Sequence, residues 1–144
     1  MTPYLLDTNV LIALAWPSHV HHAQAQTWFA KRRKSGFRTC PLTETGFVRI
    51  SSNPRFTPDA VSPRHGLALL EKICAMKEHK FWPDDLPVTK AIAGDESIVG
   101  HRQTTDAYLV ALAIARGGRL ATLDRAVLSL PRASVESVEI VQDA

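Results

Sequence analysis

The 144-residue chain is poor in the features that mark disulfide-rich and membrane-spanning proteins. It has only two cysteines, Cys40 and Cys74, which stand in apolar surroundings without paired spacing. This pattern indicates neither a disulfide framework nor a zinc site, and it is typical of core thiols. The apolar run at residues 10–16 is far too short to cross a bilayer, so the sequence predicts no membrane partner.

The start of the sequence lacks the basic leader and apolar stretch of a secretory signal, and we expect a cytoplasmic protein. An excess of charge of one sign is also absent. The net charge of +3 and the pI near 9.1 lean towards an anionic partner, but they decide little by themselves.

What the sequence does have is the composition of an ordinary globular protein, because 45% of its residues are hydrophobic and 22% are charged. No repeat or low-complexity tract divides it, so residues 1–144 are predicted to form one domain. Strand and helix signals alternate throughout. They predict an α/β fold with a mostly parallel central sheet of about five strands and helices on both faces.

The element boundaries follow from apolar runs, capping residues and glycine or proline stops. Strands are predicted at residues 4–6, 37–40, 81–82, 120–122 and 138–141. Helices are predicted at about residues 8–15, 18–34, 43–50, 63–74, 87–93, 106–116 and 124–128. Ser18, Thr43 and Ser62 are the predicted caps of the second, third and fourth helices, and Gly94 is the predicted stop after the fifth.

Four acidic residues lie at predicted junctions between strands and helices. Asp7 and Asp124 follow strands at their carboxyl ends, while Glu44 and Asp106 fall in the first turns of predicted helices. Each alone is explained equally well by helix capping. All four together exceed what capping requires, and the carboxyl edge of a parallel sheet is where ligand crevices form. The joint pattern therefore favours a cation site.

The chemistry of such a group of acids limits the choice of ion. Two carboxylates about 4 Å apart repel each other by about 4 kcal/mol at an effective dielectric constant of 20, so a cluster needs a counter-ion. Oxygen ligands alone suit Mg²⁺, with Mn²⁺ as a substitute, and fit zinc poorly. Such ions promote hydrolysis of phosphodiester bonds.

The segments that carry these acids resemble the successive acidic motifs of PIN domains. They read LLDTNVLI around Asp7, TE at Thr43 and Glu44, TDAYLVALA around Asp106, and LATLD ending at Asp124. The resemblance covers nearly the whole chain. In order, spacing and length, the motifs are most similar to those of the VapC toxins of bacterial toxin-antitoxin pairs.

The resemblance implies a three-layer α/β/α fold and a metal-dependent endoribonuclease that cuts structured RNA and inhibits translation or growth. It also implies a homodimer and a cognate antitoxin as partner. Carried over by motif, Asp7, Asp106 and Asp124 would contact the metal directly, with Glu44 contributing directly or through water. All four acidic positions match the family pattern.

Other residues are weaker candidates for binding. Asn9 lies beside the first acid and Arg102 precedes Asp106, so both are candidate substrate contacts. The basic run of Lys31, Arg32, Arg33 and Lys34 could add salt-sensitive RNA affinity, although a solvated helix end explains it as well. Aromatic residues of the first two helices could form a groove for an antitoxin, or could simply be core; these are Trp16, Trp28 and Phe29.

Three other readings compete with the toxin. A phosphatase of the haloacid-dehalogenase type needs a second aspartate two positions after Asp7, where this chain has Asn9. A non-catalytic module that binds RNA or a partner is disfavoured because all four acids are present. An RNA-processing PIN nuclease outside a toxin-antitoxin pair remains an alternative.

Overall fold

In the computed structural model, which describes residues 1–93, 98 and 100–142, five short strands form one parallel sheet. In chain order the strands are β1 (Tyr4–Leu6), β2 (Phe37–Thr39), β3 (His79–Phe81), β4 (Arg119–Thr122) and β5 (Val138–Ile140). Their order across the sheet is β3-β2-β1-β4-β5, and every neighbouring pair is parallel. The predicted α/β fold is confirmed.

Within the described residues, six α-helices connect the strands, with short 3₁₀ turns at Arg33–Ser35 and Arg125–Ser129. The helices are α1 (Thr8–Ala15), α2 (His22–Arg32), α3 (Pro41–Ser51), α4 (Pro63–Cys74), α5 (Val88–Ala91) and α6 (Arg102–Ala115). In the described part of the chain, no helix has the length and apolar character needed to cross a membrane.

Alternation along the strands divides the core into two apolar layers. Leu5 and Leu120 belong to a cluster built around α6, whereas Leu6 and Ala121 belong to a cluster with α1 and α2. Because successive side chains of a strand point to opposite faces, each strand contributes to both layers. The sheet is therefore the middle of the predicted three-layer α/β/α arrangement.

Three predicted helix starts were wrong, those of α2, α3 and α6. The second helix begins at His22 rather than Ser18, because the Ser18 hydroxyl donates to Asp59 at 2.8 Å and turns occupy the intervening residues. The third begins at Pro41, so Thr43 lies in the first turn, where its hydroxyl accepts from the Cys40 N–H at 3.1 Å. Glu44 remains in the first turn of α3, as predicted.

The start of α6 matters most for the site. The helix begins at Arg102, a full turn before the predicted start, and the Gln103 side chain accepts from the Gly100 N–H at 3.1 Å. Asp106 therefore lies in the second turn of α6 and not in the first. The helix before it, α5, is a single turn that ends at Ala91, and its predicted stop at Gly94 lies outside the described residues.

Arginines of the basic run form ion pairs within the fold. The Arg32 guanidinium contacts Glu139 at 2.9 Å, and Arg33 contacts Glu78 at 3.0 Å. Glu139 also accepts hydrogen bonds from Trp28 on α2 and from Arg119 on β4, so it joins three elements at one edge of the sheet. Two of the four charges in the run thus have structural partners.

The helices α1 and α3 approach each other closely at Gly46. A Cβ atom at Gly46 would lie 2.7 Å from the Thr8 hydroxyl oxygen, which is too close without a shift. The helical Gly66 is different, because a Cβ there would meet its nearest atoms at 3.7 Å, an ordinary contact. Only the first of these two helical glycines is required by packing.

We therefore expect Gly46→Ala to lower the free energy of unfolding by about 1–3 kcal/mol through overpacking. Gly66→Ala is the matched control and should leave stability unchanged or raise it by up to about 1 kcal/mol through helix propensity. Urea unfolding followed by circular dichroism measures both. Equal effects of the two substitutions would contradict the close approach of α1 and α3.

Candidate active site

The sheet has its topological switch point between β1 and β4. The chain runs from β1 outward to β2 and β3, then returns to the other side of β1 as β4. Crevices open at the carboxyl ends of such strands because their connections leave in opposite directions. Asp7 directly follows β1 and Asp124 lies two residues after β4, so both acids stand at this crevice.

Asp7 is held rigidly. Its side chain is 7% exposed, and its backbone N–H donates to the Ala121 carbonyl at 2.9 Å. One carboxylate oxygen accepts from the Thr8 N–H at 2.7 Å and so caps α1, while the other accepts from the Thr122 hydroxyl at 2.8 Å. Burial raises the pKa of Asp7 and the Asp124 charge raises it further, against the lowering effect of these two hydrogen bonds.

The Thr122 hydroxyl joins the ends of β1 and β4. It donates to Asp7, and it accepts from the Asp124 N–H at 3.1 Å and from the Asn9 side-chain amide at 3.2 Å. The side-chain oxygen of Asn9, Oδ1, in turn accepts from the Leu123 N–H at 3.1 Å. Asn9 thus lies beside Asp7 in the crevice, and its contacts there are structural ones.

Asp106 completes a group of three aspartates. It projects from α6, which packs against both β1 and β4. Its pKa is raised to about 6, first by burial and then by the charges of Asp7 and Asp124. Asp124 is exposed and caps the following 3₁₀ turn by accepting from the Ala126 N–H at 2.9 Å. Three of the four predicted acids are therefore close enough to repel one another.

The aspartate trio, defined as Asp7, Asp106 and Asp124, fits a hard divalent cation. Its donors are all carboxylate oxygens, which suit Mg²⁺ and Mn²⁺. Beyond the effect of burial, the charges of Asp7 and Asp124 raise the pKa of Asp106, and a cation between the three carboxylates would relieve that repulsion. The trio has an open, exposed side at Asp124.

The Glu44 carboxylate points to a different set of partners. It accepts from the Thr39 hydroxyl at 2.6 Å, and its ligand atoms lie within 4.8 Å of those of Cys74 and His79. The start of α3 still adjoins the trio, because the Thr8 hydroxyl donates to the Thr43 carbonyl at 3.4 Å. Among the described charges, however, Glu44 is not one that shifts the pKa of Asp7 or Asp106.

The predicted RNA contacts lie on different sides of the sheet. Arg102 is exposed one turn before Asp106 on α6, and residues four apart share a helix face. The basic run ends just before β2 begins, at the amino edge of the sheet, whereas the trio lies at the carboxyl edge. The geometry therefore favours Arg102 over the basic run as a neighbour of the site.

The aromatic groove is only partly as predicted. Trp28 and Phe29 are buried core residues, at 4% and 6% exposure, because α2 packs them against the sheet. Trp16 does line a surface groove of about 410 Å³ that extends from Asn9 to Phe56. The groove thus begins beside the trio but uses the loop after α3 in place of the aromatic residues of α2.

Sequence reasoning missed the surroundings of Glu44. Thr39, Cys74 and His79 are brought to it by the parallel pairing of β2 with β3 and by the packing of α3 on α4. No local motif links these positions, since Thr39 and His79 are 40 residues apart. Only knowledge of the pairing register of β2 and β3 would have predicted that these residues meet.

Comparison with known proteins agrees with this architecture. The pattern of the family described as PIN domain matches residues 4–133. Ribonuclease VapC39 of Mycobacterium tuberculosis is 46% identical over 135 residues, which cover 93% of this chain and 97% of VapC39. Ribonuclease VapC38 of the same organism is 43% identical over 143 residues, covering 95% of this chain and 99% of VapC38.

Solved structures share the fold at low sequence identity. The structure of VapBC2 from Rickettsia felis, bound to a promoter DNA fragment, matches with a TM-score of 0.68 at 13% identity over 99% of this chain and 100% of that one. Mycobacterium tuberculosis VapC20, a toxin that cleaves the sarcin-ricin loop, matches with a TM-score of 0.61 at 13% identity over 90% and 98%. With residues 4–133 matching the family pattern and relatives above 40% identity over nearly the whole chain, this protein belongs to the PIN-domain family and, within it, to the VapC ribonucleases.

Proposed function

We propose that this VapC-type ribonuclease is a Mg²⁺-dependent endoribonuclease, able to use Mn²⁺, and the toxin of a toxin-antitoxin pair that acts on structured RNA. The observation that carries the proposal is the meeting of Asp7, Asp106 and Asp124 at the crevice between β1 and β4. Burial and the charges of the other two aspartates raise the pKa of Asp106 there to about 6. Strongly shifted carboxyl groups in a crevice mark functional sites. Burial is the largest cause of this shift, and the charges of Asp7 and Asp124 are the part that a divalent cation would offset.

The residues of the trio have different parts in this proposal. Asp7 is the fixed member, because it is buried and both of its carboxylate oxygens accept hydrogen bonds. Asp124 is the exposed member and faces the solvent from which RNA would approach. Asp106 projects from α6 and closes the group, so the three carboxylates would hold the cation from three separate elements.

When bound, the cation would supply positive charge that polarises the scissile phosphate and makes an adjacent water a better nucleophile. The protein positions its ligands through Thr122 and Asn9, whose hydrogen bonds fix the orientation of Asp7. Glu44 is the fourth acid of the proposed site, contributing directly or through water after its side chain turns from Thr39. Arg102 is the proposed contact to the RNA phosphate backbone.

The proposed partner is a cognate antitoxin. VapBC2 of Rickettsia felis and VapBC of Salmonella typhimurium, which share the fold of this chain, were both solved bound to DNA as VapBC assemblies. We propose the groove from Asn9 to Phe56 as the docking surface, because it is largely apolar and adjoins the trio. A homodimer of the chain is part of the same proposal, and light scattering of the purified protein would test it.

The rival proposal is a module that binds RNA or a partner without cutting. Both proposals are compatible with the fold, but the aspartate trio supports RNA cleavage only in the nuclease. The loss of one buried carboxylate distinguishes them, because it should abolish cleavage by a nuclease. An RNA-processing role outside a toxin-antitoxin pair differs only in partner and target, and it would be favoured if no co-expressed inhibitor blocked cleavage.

The substitution Asp7→Asn removes a charge but keeps a side chain suited to capping α1. RNA cleavage in Mg²⁺ should fall by about 10²- to 10³-fold, the usual effect of losing one group that stabilises transition-state charge. Cleavage of structured RNAs by inhibitor-free protein, with and without EDTA, measures it. Glu136→Gln, an exposed acid at the amino edge of β5, is the control and should keep full activity. Cleavage by wild type that persists in EDTA would contradict metal dependence.

The stability of the metal-free protein should depend on pH through Asp106. The folded-state pKa of Asp106 is about 6 and its ordinary value is 3.8, so the folded protein favours the protonated form. As the pH rises from the unfolded pKa to the folded pKa, ionisation of Asp106 therefore lowers the stability of the metal-free fold. Below pH 3.8 Asp106 is protonated in both states and does not change the stability. Asp106→Asn should raise the melting temperature in EDTA above the folded pKa and change it little below the unfolded pKa.

Cation binding should interact with the same substitution. Above the folded pKa, Mg²⁺ or Mn²⁺ should raise the melting temperature of the wild-type protein, because the ion binds the folded trio. The rise should be much smaller for Asp106→Asn and unchanged for Glu136→Gln. An equal rise in all three proteins would contradict a cation site at the trio, whatever the RNA assay shows.

A further inference from the structure

A second group of potential ligands lies beside the trio, on the β2 and β3 side of the sheet. It consists of Glu44 in the first turn of α3, Cys74 at the end of α4, and His79 at the start of β3. One ligand atom from each lies within 4.8 Å of the others, and all three side chains are partly exposed. An ion could therefore enter from solvent and reach a carboxylate, a thiol and an imidazole together.

The three side chains converge on one buried hydroxyl. Thr39, the last residue of β2, has its hydroxyl oxygen 2.6 Å from the Glu44 carboxylate, 2.7 Å from His79 Nε2 and 3.9 Å from Cys74 Sγ. The Thr39 side chain is fully buried and fixed in the sheet. The three ligand atoms thus lie around this one hydroxyl oxygen, and an ion bound by all of them would lie beside it and replace its hydrogen bonds to Glu44 and His79.

The elements that carry these ligands are rigidly joined. The helices α3 and α4 pack on each other, and β2 pairs with β3 in register, with Thr39 opposite Phe81. The His79 ring also packs against Phe37, at 5.3 Å between ring centroids. Little backbone entropy is therefore lost when the three side chains bind one ion, which is the condition for a preformed site.

The donor set differs in kind from that of the trio. Thiolate, imidazole and carboxylate together suit a borderline-soft ion such as Zn²⁺, whereas the trio suits hard ions. Zinc binds sulfur at about 2.3 Å and nitrogen or oxygen at about 2.0–2.2 Å, so tetrahedral ligands lie roughly 3.5 Å apart. Since the ligand atoms all lie within 4.8 Å of one another, a bound ion would need to draw them only about 1 Å closer together.

The protonation states are compatible with binding. Burial lowers the pKa of His79, which favours the neutral imidazole that coordinates metals. Burial raises the pKa of the Cys74 thiol, so the metal-free protein keeps the thiol proton and the ion has to displace it to solvent on binding. Glu44 supplies a negative charge that offsets part of the charge of the cation.

We propose that Glu44, Cys74 and His79 form a second cation site, separate from the aspartate trio, that takes a thiolate-binding divalent ion such as Zn²⁺. The fourth position is left for solvent beside Thr39. Because an ion bound there holds the Glu44 carboxylate, it withdraws that carboxylate from the trio. This last consequence rests on the proposed nuclease function, whereas the existence of the site does not.

The test uses Co²⁺ as a spectroscopic substitute for Zn²⁺, added to chelator-treated protein. Binding through Cys74 should give a sulfur-to-cobalt charge-transfer band in the near ultraviolet, which Zn²⁺ then abolishes by displacement. Cys74→Ala should remove the band and weaken Co²⁺ binding at this site by more than the roughly 10- to 100-fold that loss of an outer-sphere partner costs. Cys40→Ala is the matched control, because Cys40 is the chain's other cysteine, and it should keep the band.

Two further variants make the outcome decisive. His79→Gln should weaken the band even if Cys74→Ala fails to fold, and Asp106→Asn should leave the band intact because the trio is a separate site. The proposal is overturned if folded wild-type protein gives no charge-transfer band, if the band persists in Cys74→Ala, or if it disappears in Asp106→Asn. None of these results depends on RNA cleavage, so the nuclease proposal can fail or succeed independently.

Discussion

The hydrogen bond from the Thr122 hydroxyl to the buried Asp7 carboxylate is the contact on which the rest of the site depends. It joins the ends of β1 and β4 across the switch point of the sheet. The same hydroxyl accepts from the Asp124 N–H, so one side chain fixes both the buried and the exposed acid. Because Asp7 also caps α1, a change in its orientation would disturb the fold and the site together.

The second constraint is electrostatic repulsion. The fold brings three carboxylates to one crevice, where burial raises the pKa of Asp106 and the charges of Asp7 and Asp124 raise it further. Arrangements that raise the energy of the metal-free protein are retained at functional sites, where a ligand offsets them. The partners of Glu44 form a separate group beside β2 and β3, which reaches the amino end of β3 at His79, so this sheet carries two sets of donors of different chemistry.

Much of this could be predicted from the sequence because the decisive signals are local. Adjacent residues alone predict three features that the structure confirms: the buried strand before Asp7, the cap at Ser62 and the alanine-rich α6. The family motifs then supplied the three-layer arrangement. The start of α2 was missed because the Ser18 hydroxyl bonds to Asp59, 41 residues away, which no local rule reveals. The Glu44 partners were missed for the same reason, since they meet only through strand pairing and helix packing.

In the proposed site, Thr122 positions Asp7 to hold a divalent cation together with Asp106 and Asp124. Calorimetric titration of Mn²⁺ into Thr122→Val tests this role, because the substitution removes the hydroxyl and no carboxylate. We expect the Mn²⁺ affinity to fall by about 10- to 100-fold, as for the loss of an outer-sphere partner, while Thr105→Val on the exposed part of α6 leaves it unchanged. An unchanged Mn²⁺ affinity in a folded Thr122→Val protein would show that Thr122 does not position the metal ligands.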